Sequence, residues 1–150
     1  MEKERIAILK AELEAQVGEI EKIYVRLDER SKKKGKAAAE SIGYQLHNLY
    51  CAFEDLFEIV AKTFENNIHK KGKYHLELLK RMTIAIEGVR PSLLSQEVFV
   101  LLDNLRSFRH FFRHAYSYDL DERKVRIVLS DAFKLRDLYQ KDIRAFWGSF

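Results

Sequence analysis

One proline and six glycines in 150 residues leave little to interrupt a helix, and the apolar residues recur at three- and four-residue steps. That pairing restricts the chain to an all-α fold. Ile6, Leu9, Leu13, Val17, Ile20, Ile23 and Leu27 form a first stripe, which ends at Lys32, Lys33, Lys34 and Gly35, where late lysines and a glycine stop a helix. Ile42, Leu46, Leu49, Phe53, Leu56, Val60 and Phe64 form a second stripe, running out at Asn66, Asn67 and Gly72. A shorter helix is predicted around Leu78, Leu79, Met82 and Ile86, closed by Gly88 and Pro91. Val98, Leu101, Leu105, Phe108, Phe112 and Ala115 make the fourth stripe, and Val125, Val128, Ala132, Leu135, Tyr139, Ile143 and Phe146 the fifth. Between these two, Asp119 or Asp121 is placed to cap the last helix.

Short connections favour antiparallel neighbours, so the expected architecture is an antiparallel up-and-down bundle of four long helices plus one shorter helix. The length suits a single helical domain spanning residues 1–150, with 47% hydrophobic and 33% charged residues, as in a soluble globular protein. No apolar run approaches a membrane span, and the start MEKER lacks a signal-peptide pattern, so the cytoplasm is the expected compartment. The single cysteine, Cys51, excludes an internal disulfide and a cysteine-rich zinc site, and is expected to be a small buried hydrophobe. No cofactor is implied.

If the third helix returns along the bundle and the fourth comes back, His114 and Tyr116 reach the end that holds the Asn66–Tyr74 connection. Lys70, Lys71 and Lys73 would then lie near Arg113, Arg123 and Arg126. Such a basic cluster attracts RNA phosphates, although it is equally consistent with a solvated helix end.

The segment Arg109 to Tyr116, RHFFRHAY, carries the chemistry. Arginine holds a phosphate by charge and a forked donor geometry, and histidine moves protons near neutral pH. Together they suit metal-independent RNA cleavage: a histidine takes the 2′-hydroxyl proton or protonates the departing 5′-oxygen, and arginine stabilises the phosphoryl charge. The products carry a cyclic phosphate and a free 5′-hydroxyl, and DNA, lacking the nucleophile, survives. On a straight helix, however, Arg109 and His114 point about 140° apart, whereas Arg109 and Tyr116 differ by about 20°. Either the helix bends or ends near Ala115, or motif residues converge across a dimer; the second is preferred, with some local bending. Taken alone, an arginine and a histidine on one helix more commonly make solvated surface. His110 and His114 have metal-ligand spacing but no further ligand set, so no metal site is expected. His47, His69 and His75 show no partnered motif and are expected to be structural or surface residues.

RHFFRHAY, followed by Ser117, Tyr118, Asp119, Leu120 and Asp121, resembles the R-x4-H-x-Y signature of HEPN-domain ribonucleases of the HepT toxin type. The resemblance implies a HEPN-like helical-bundle homodimer with an RNA-cleaving site between subunits. It makes Arg109 and His114 the catalytic pair, His110 the variable polar position and Tyr116 the acceptor of AMP from a cognate MNT-type nucleotidyltransferase antitoxin. It further implies a type VII-like toxin–antitoxin system and an RNA substrate, often transfer RNA. Arg113 departs from the pattern, which often has an apolar residue there, and leaves the division of labour between Arg109 and Arg113 open. Two other functions compete: a non-catalytic helical subunit that binds nucleotides or the transferase, and a purely structural dimerisation module.

Overall fold

The structure, a computed structural model, describes residues 2–65, 74–115 and 119–150. Its helices are α1 (Lys3–Ser31), α2 (Lys36–Phe64), α3 (Tyr74–Arg81), α4 (Gln96–Arg113) and α5 (Glu122–Gly148). The four long helices form the expected antiparallel up-and-down bundle, with α1 against α2, α2 against α4 and α5, and α4 against α5. The five periodic stripes supply its core: Leu13, Ile20 and Leu27 of α1, Ile42, Leu46, Leu49 and Leu56 of α2, Leu105 of α4 and Leu135 of α5 are all buried. Each such side chain contributes about 1.5–3 kcal/mol on leaving water.

A seam between α1 and α5 closes the ring. Tyr24 is fully buried, and its hydroxyl donates to the Ala132 carbonyl at 2.8 Å. The Arg136 guanidinium lies 5.1 Å from the Tyr24 ring centroid and bonds to Asp28 at 2.8 Å, and Tyr139 donates to Glu21. A buried phenol is thus matched by a backbone acceptor, and a cation covers its ring.

Polar ties fix which loops share an end. At the end formed by the α1–α2 hairpin, Arg126 donates to the Ser31 carbonyl at 2.8 Å and to that of Lys33. There too, Gly35 N donates to Glu122 at 3.2 Å, Lys36 pairs with Asp119 at 3.3 Å, and Asp121 caps α5 by accepting from Arg123 N. At the far end Ser95, the N-cap of α4, bonds to Asp142, and Phe64 packs on Phe146 and Phe150. The end of α4 that carries Arg113 and His114 therefore sits beside the α1–α2 hairpin, opposite to the expectation above.

The length of α3 explains the reversal. Eight residues, about 12 Å of helix, cannot cross a bundle whose helices run to 29 residues. Ile86, expected within this helix, instead makes an isolated bridge with Arg90, in a turn where Gly88 adopts φ of 77°. Arg90 is buried there, bonded to Glu65 at 2.7 Å and to the carbonyls of Arg81, Ile84 and Pro91. Among the described residues α3 runs beside only the far half of α2, from Glu54 and Glu58 back to Glu65, and α4 starts near the end where α2 stops.

Candidate active site

On α2, His47 and Cys51 stand one helical turn apart, as do Arg109 and Arg113 on α4, so each pair shares one face of its helix. The helices are antiparallel, which sets Cys51 against Arg109 and His47 beside the next turn of α4. Arg109 is half-buried, and its Nε donates to Cys51 Sγ at 3.3 Å. The His47 ring lies 5.8 Å from that of Phe112, and Nδ1 is 3.4 Å from Asn48 Oδ1. With that oxygen accepting, Nδ1 carries the hydrogen and Nε2 keeps its lone pair. Burial lowers the His47 pKa most; the hydrogen bond to Asn48 opposes it, and the smaller effects of the Arg109 and Arg113 charges lower it further.

Close packing holds the two helices at this point. A Cβ added to Gly43 would come within 2.9 Å of Phe112 Cε1 and 3.2 Å of Leu120 Cδ1. Glycine is what lets Phe112 sit against α2. Phe112 also stacks on Phe108 at 5.8 Å, anchoring the last turns of α4 to the core.

The helix ends at Arg113, and His114 is its C-cap, with φ of −109° and ψ of 7°. The helix end falls at the position of the less favoured of the two options, and the contact of His114 with His110 one turn back keeps it on the helix face away from Arg109. His110, Arg113 and His114 are exposed, and the rings of His110 and His114 meet edge to face at 4.9 Å. Among the described residues no hydrogen bond joins Arg109 to His114, and no cluster of three or more possible ligands could hold a metal ion. Tyr116, the expected AMP acceptor, lies outside the described residues, as do His69, Lys70, Lys71 and Lys73.

Several expectations need correction. Arg113, Arg123 and Arg126 lie at the hairpin end, away from the described residues Glu65 and Tyr74. Those two residues, which flank the Asn66–Tyr74 connection, contact Arg90 and Glu58 along the far half of α2. From Gly43 to Glu65 an α-helix measures about 33 Å. Arg123 is exposed, whereas the Arg126 guanidinium is committed to the hairpin carbonyls. Their basic neighbours are Lys32, Lys33 and Lys34, all exposed; Lys33 and Lys34 line a hollow of about 440 Å3 with Arg30 and Ser41. Cys51 is half-buried at the edge of the core rather than within it. His75 is held by Glu54 at 2.7 Å, and His47 is half-buried against Phe112.

A larger cavity, about 470 Å3, opens on another face of α4, between it and α5. Phe108, Phe111, Leu120, Val125, Ile127 and Val128 line it, and Phe111 and Ile127 are exposed. Asp121, Lys124 and Asp131 add charge at its edge, and no histidine or arginine lines it.

No described helix is long and apolar enough to cross a membrane. Neither curated proteins nor solved structures provide a match. The family model described as HepT-like protein matches residues 41–150, a span that begins in α2 and takes in His47, Cys51 and the whole RHFFRHAY segment. By that match over most of its length, the chain belongs to the HepT-like protein family.

Proposed function

We propose that this chain is the toxin of a type VII-like HEPN/MNT toxin–antitoxin pair and acts as a metal-independent endoribonuclease. The observation that carries this reading is the grouping of Arg109 and Arg113 with His47 along the α2–α4 seam, and of His110 and His114 at the exposed end of α4. Two guanidiniums without a carboxylate partner among the described residues suit a phosphodiester, and imidazoles beside them suit proton transfer. Arg109 and His114 are assigned as the catalytic pair, with His110 and Arg113 assisting. RNA is the substrate, with transfer RNA the preferred class, and its backbone runs over Arg113, Arg123 and Lys32–Lys34.

The active form in this reading is a homodimer. Exposed Phe111 and Ile127, in the apolar groove beside the motif, supply a face for the second copy. The cognate MNT-type nucleotidyltransferase attaches AMP to Tyr116, and the added charge and bulk compete with RNA phosphate. Tyr116→Phe should then cleave RNA and resist silencing by the transferase.

The test is RNA cleavage in a metal chelator by the native chain, Arg109→Ala and His114→Ala. Native activity that yields cyclic phosphates and 5′-hydroxyls, lost in both variants, is expected. Equal cutting of DNA, a strict need for a divalent ion, or undiminished activity in both variants overturns the reading. One observation favours the non-catalytic binding subunit instead: Arg109 bonds to Cys51 and not to His114 within one chain. RNA bound tightly but never cut, with cleavage absent in the native dimer, would establish that alternative.

A further inference from the structure

We propose that His47 is the base that takes the RNA 2′-hydroxyl proton, leaving His114 as the acid that protonates the departing 5′-oxygen. The assignment rests on the ribonuclease reading of this site and divides its proton transfers between two helices.

The geometry distinguishes the two imidazoles. His47 is half-buried on α2, flanked by Phe112 and set in antiparallel register with Arg109 and Arg113 through the Cys51–Arg109 bond. Its Nδ1 faces Asn48, so Nε2 is the nitrogen with a free lone pair. A residue held neutral by burial and by two neighbouring cations is suited to accept a proton rather than to donate one. A phosphodiester bound to those same cations offsets their charge as it arrives, which raises the basicity of His47 when substrate is present. His114, by contrast, is exposed at the end of α4, beside His110.

The step balances. His47 Nε2 accepts the 2′-hydroxyl proton as the 2′-oxygen bonds to phosphorus. The bond from phosphorus to the 5′-oxygen breaks, and that oxygen receives a proton from the His114 imidazolium. The products are a 2′,3′-cyclic phosphate and a free 5′-hydroxyl; solvent then removes the proton from His47 and restores one to His114. Arg109 and Arg113 hold the non-bridging oxygens throughout.

A leaving group that needs no proton separates the roles. Uridine 3′-(4-nitrophenyl phosphate) releases nitrophenolate without acid catalysis, and it is compared with RNA for the native chain, His114→Ala, His47→Ala and His47→Gln. On RNA each variant is expected to fall by about 10²–10⁴-fold. On the aryl ester His114→Ala should recover toward the native rate, while both His47 variants remain as impaired as on RNA. Circular dichroism and thermal unfolding of the two His47 variants establish that the loss is chemical. Native-like RNA cleavage by folded His47→Gln, or recovery of the His47 variants on the aryl ester, overturns the assignment. A native chain inactive on both substrates instead takes down the ribonuclease reading beneath it.

Discussion

The seam between α2 and α4 is built from the same two helices along its whole length, yet its halves differ in how their charges are matched. Toward the far end α3 covers it, Glu54 meets His75, and Arg106 is paired with Asp103. Toward the hairpin end α3 is absent, and Arg109 and Arg113 face a thiol and an imidazole. Among the described residues, no carboxylate pairs with either arginine. A cation matched by a carboxylate adds little beyond local order, while one facing neutral groups in a half-buried seam favours an incoming anion. The difference between the halves therefore follows α3: where it lies the cations are matched by carboxylates, and where it stops Arg109 and Arg113 are not.

That contrast breaks most sharply in activity. Arg109→Ala and His114→Ala should each lower RNA cleavage by about 10²–10⁴-fold, measured in chelator with purified protein. His75→Ala, in the covered half, should leave the cleavage rate of folded protein unchanged. A comparable loss in His75→Ala would mean that the covered half takes part in the reaction.

The next largest effect is expected in stability, at the far end. Arg90 is buried with its guanidinium shared among Glu65 and three carbonyls, so Arg90→Ala leaves the carbonyls without this donor and Glu65 with the more exposed Arg81 as its cation. Loss of one partner of a buried pair costs about 3–5 kcal/mol. Denaturant unfolding should show that loss, with cleavage per folded molecule near native. A loss below about 1 kcal/mol would mean that the turn holding Ile86 and Arg90 contributes little to the fold.

The bundle was legible because periodicity reports burial directly: Leu9, Leu13, Ile20 and Leu27 recur on one face and are all buried. The third helix was not. Met82 and Ile86 continue its apolar spacing, but the spacing carries no mark of where hydrogen bonding stops, and the turn around Gly88 takes over. Shortening that helix sends α4 the other way, so its last turn and the start of α5 lie at the end of the α1–α2 hairpin. The Arg109 and His114 spacing was visible in the linear sequence, but His47 was not singled out, since its relevance arises from register between two helices. One signal was present: His47 and Cys51 stand one turn apart beside the buried stripe of Leu46, Leu49 and Phe53. A soft, polar strip at the edge of a core stripe marks the seam with another helix.

Gly43 tests how closely the open half depends on packing. Alanine gains up to about 1 kcal/mol in helix propensity over glycine, but its Cβ would crowd Phe112 at 2.9 Å and Leu120 at 3.2 Å. Overpacking of a well-filled contact costs about 1–3 kcal/mol, so the clash should win and Gly43→Ala should lose about 1 kcal/mol in denaturant unfolding. Displacing Phe112 also moves the neighbour of His47, which shifts the His47 ring resonances. An alanine variant that is more stable than the native chain, with unmoved His47 signals, would show that the two helices have room to spare.

The smallest effect expected is in the pH dependence of stability. The His47 pKa is lowered in the folded chain, by burial first and then by Arg109 and Arg113, the charged groups that act on it from α4. Above the ordinary histidine value of about 6.5 the imidazole is neutral whether the chain is folded or not, and its contribution is intact. As the pH falls below that value, the unfolded chain takes up a proton that the folded chain resists, so stability declines through the folded pKa. His47→Asn removes the titrating group while keeping a polar side chain, and should flatten that part of the decline. The comparison is made by denaturant unfolding at a series of pH values, with His75→Asn as the control from the covered half. Equal slopes for the native chain and His47→Asn would mean that the two arginines and the burial around His47 do not bias its protonation, and that the open half is more accessible to water than its geometry implies.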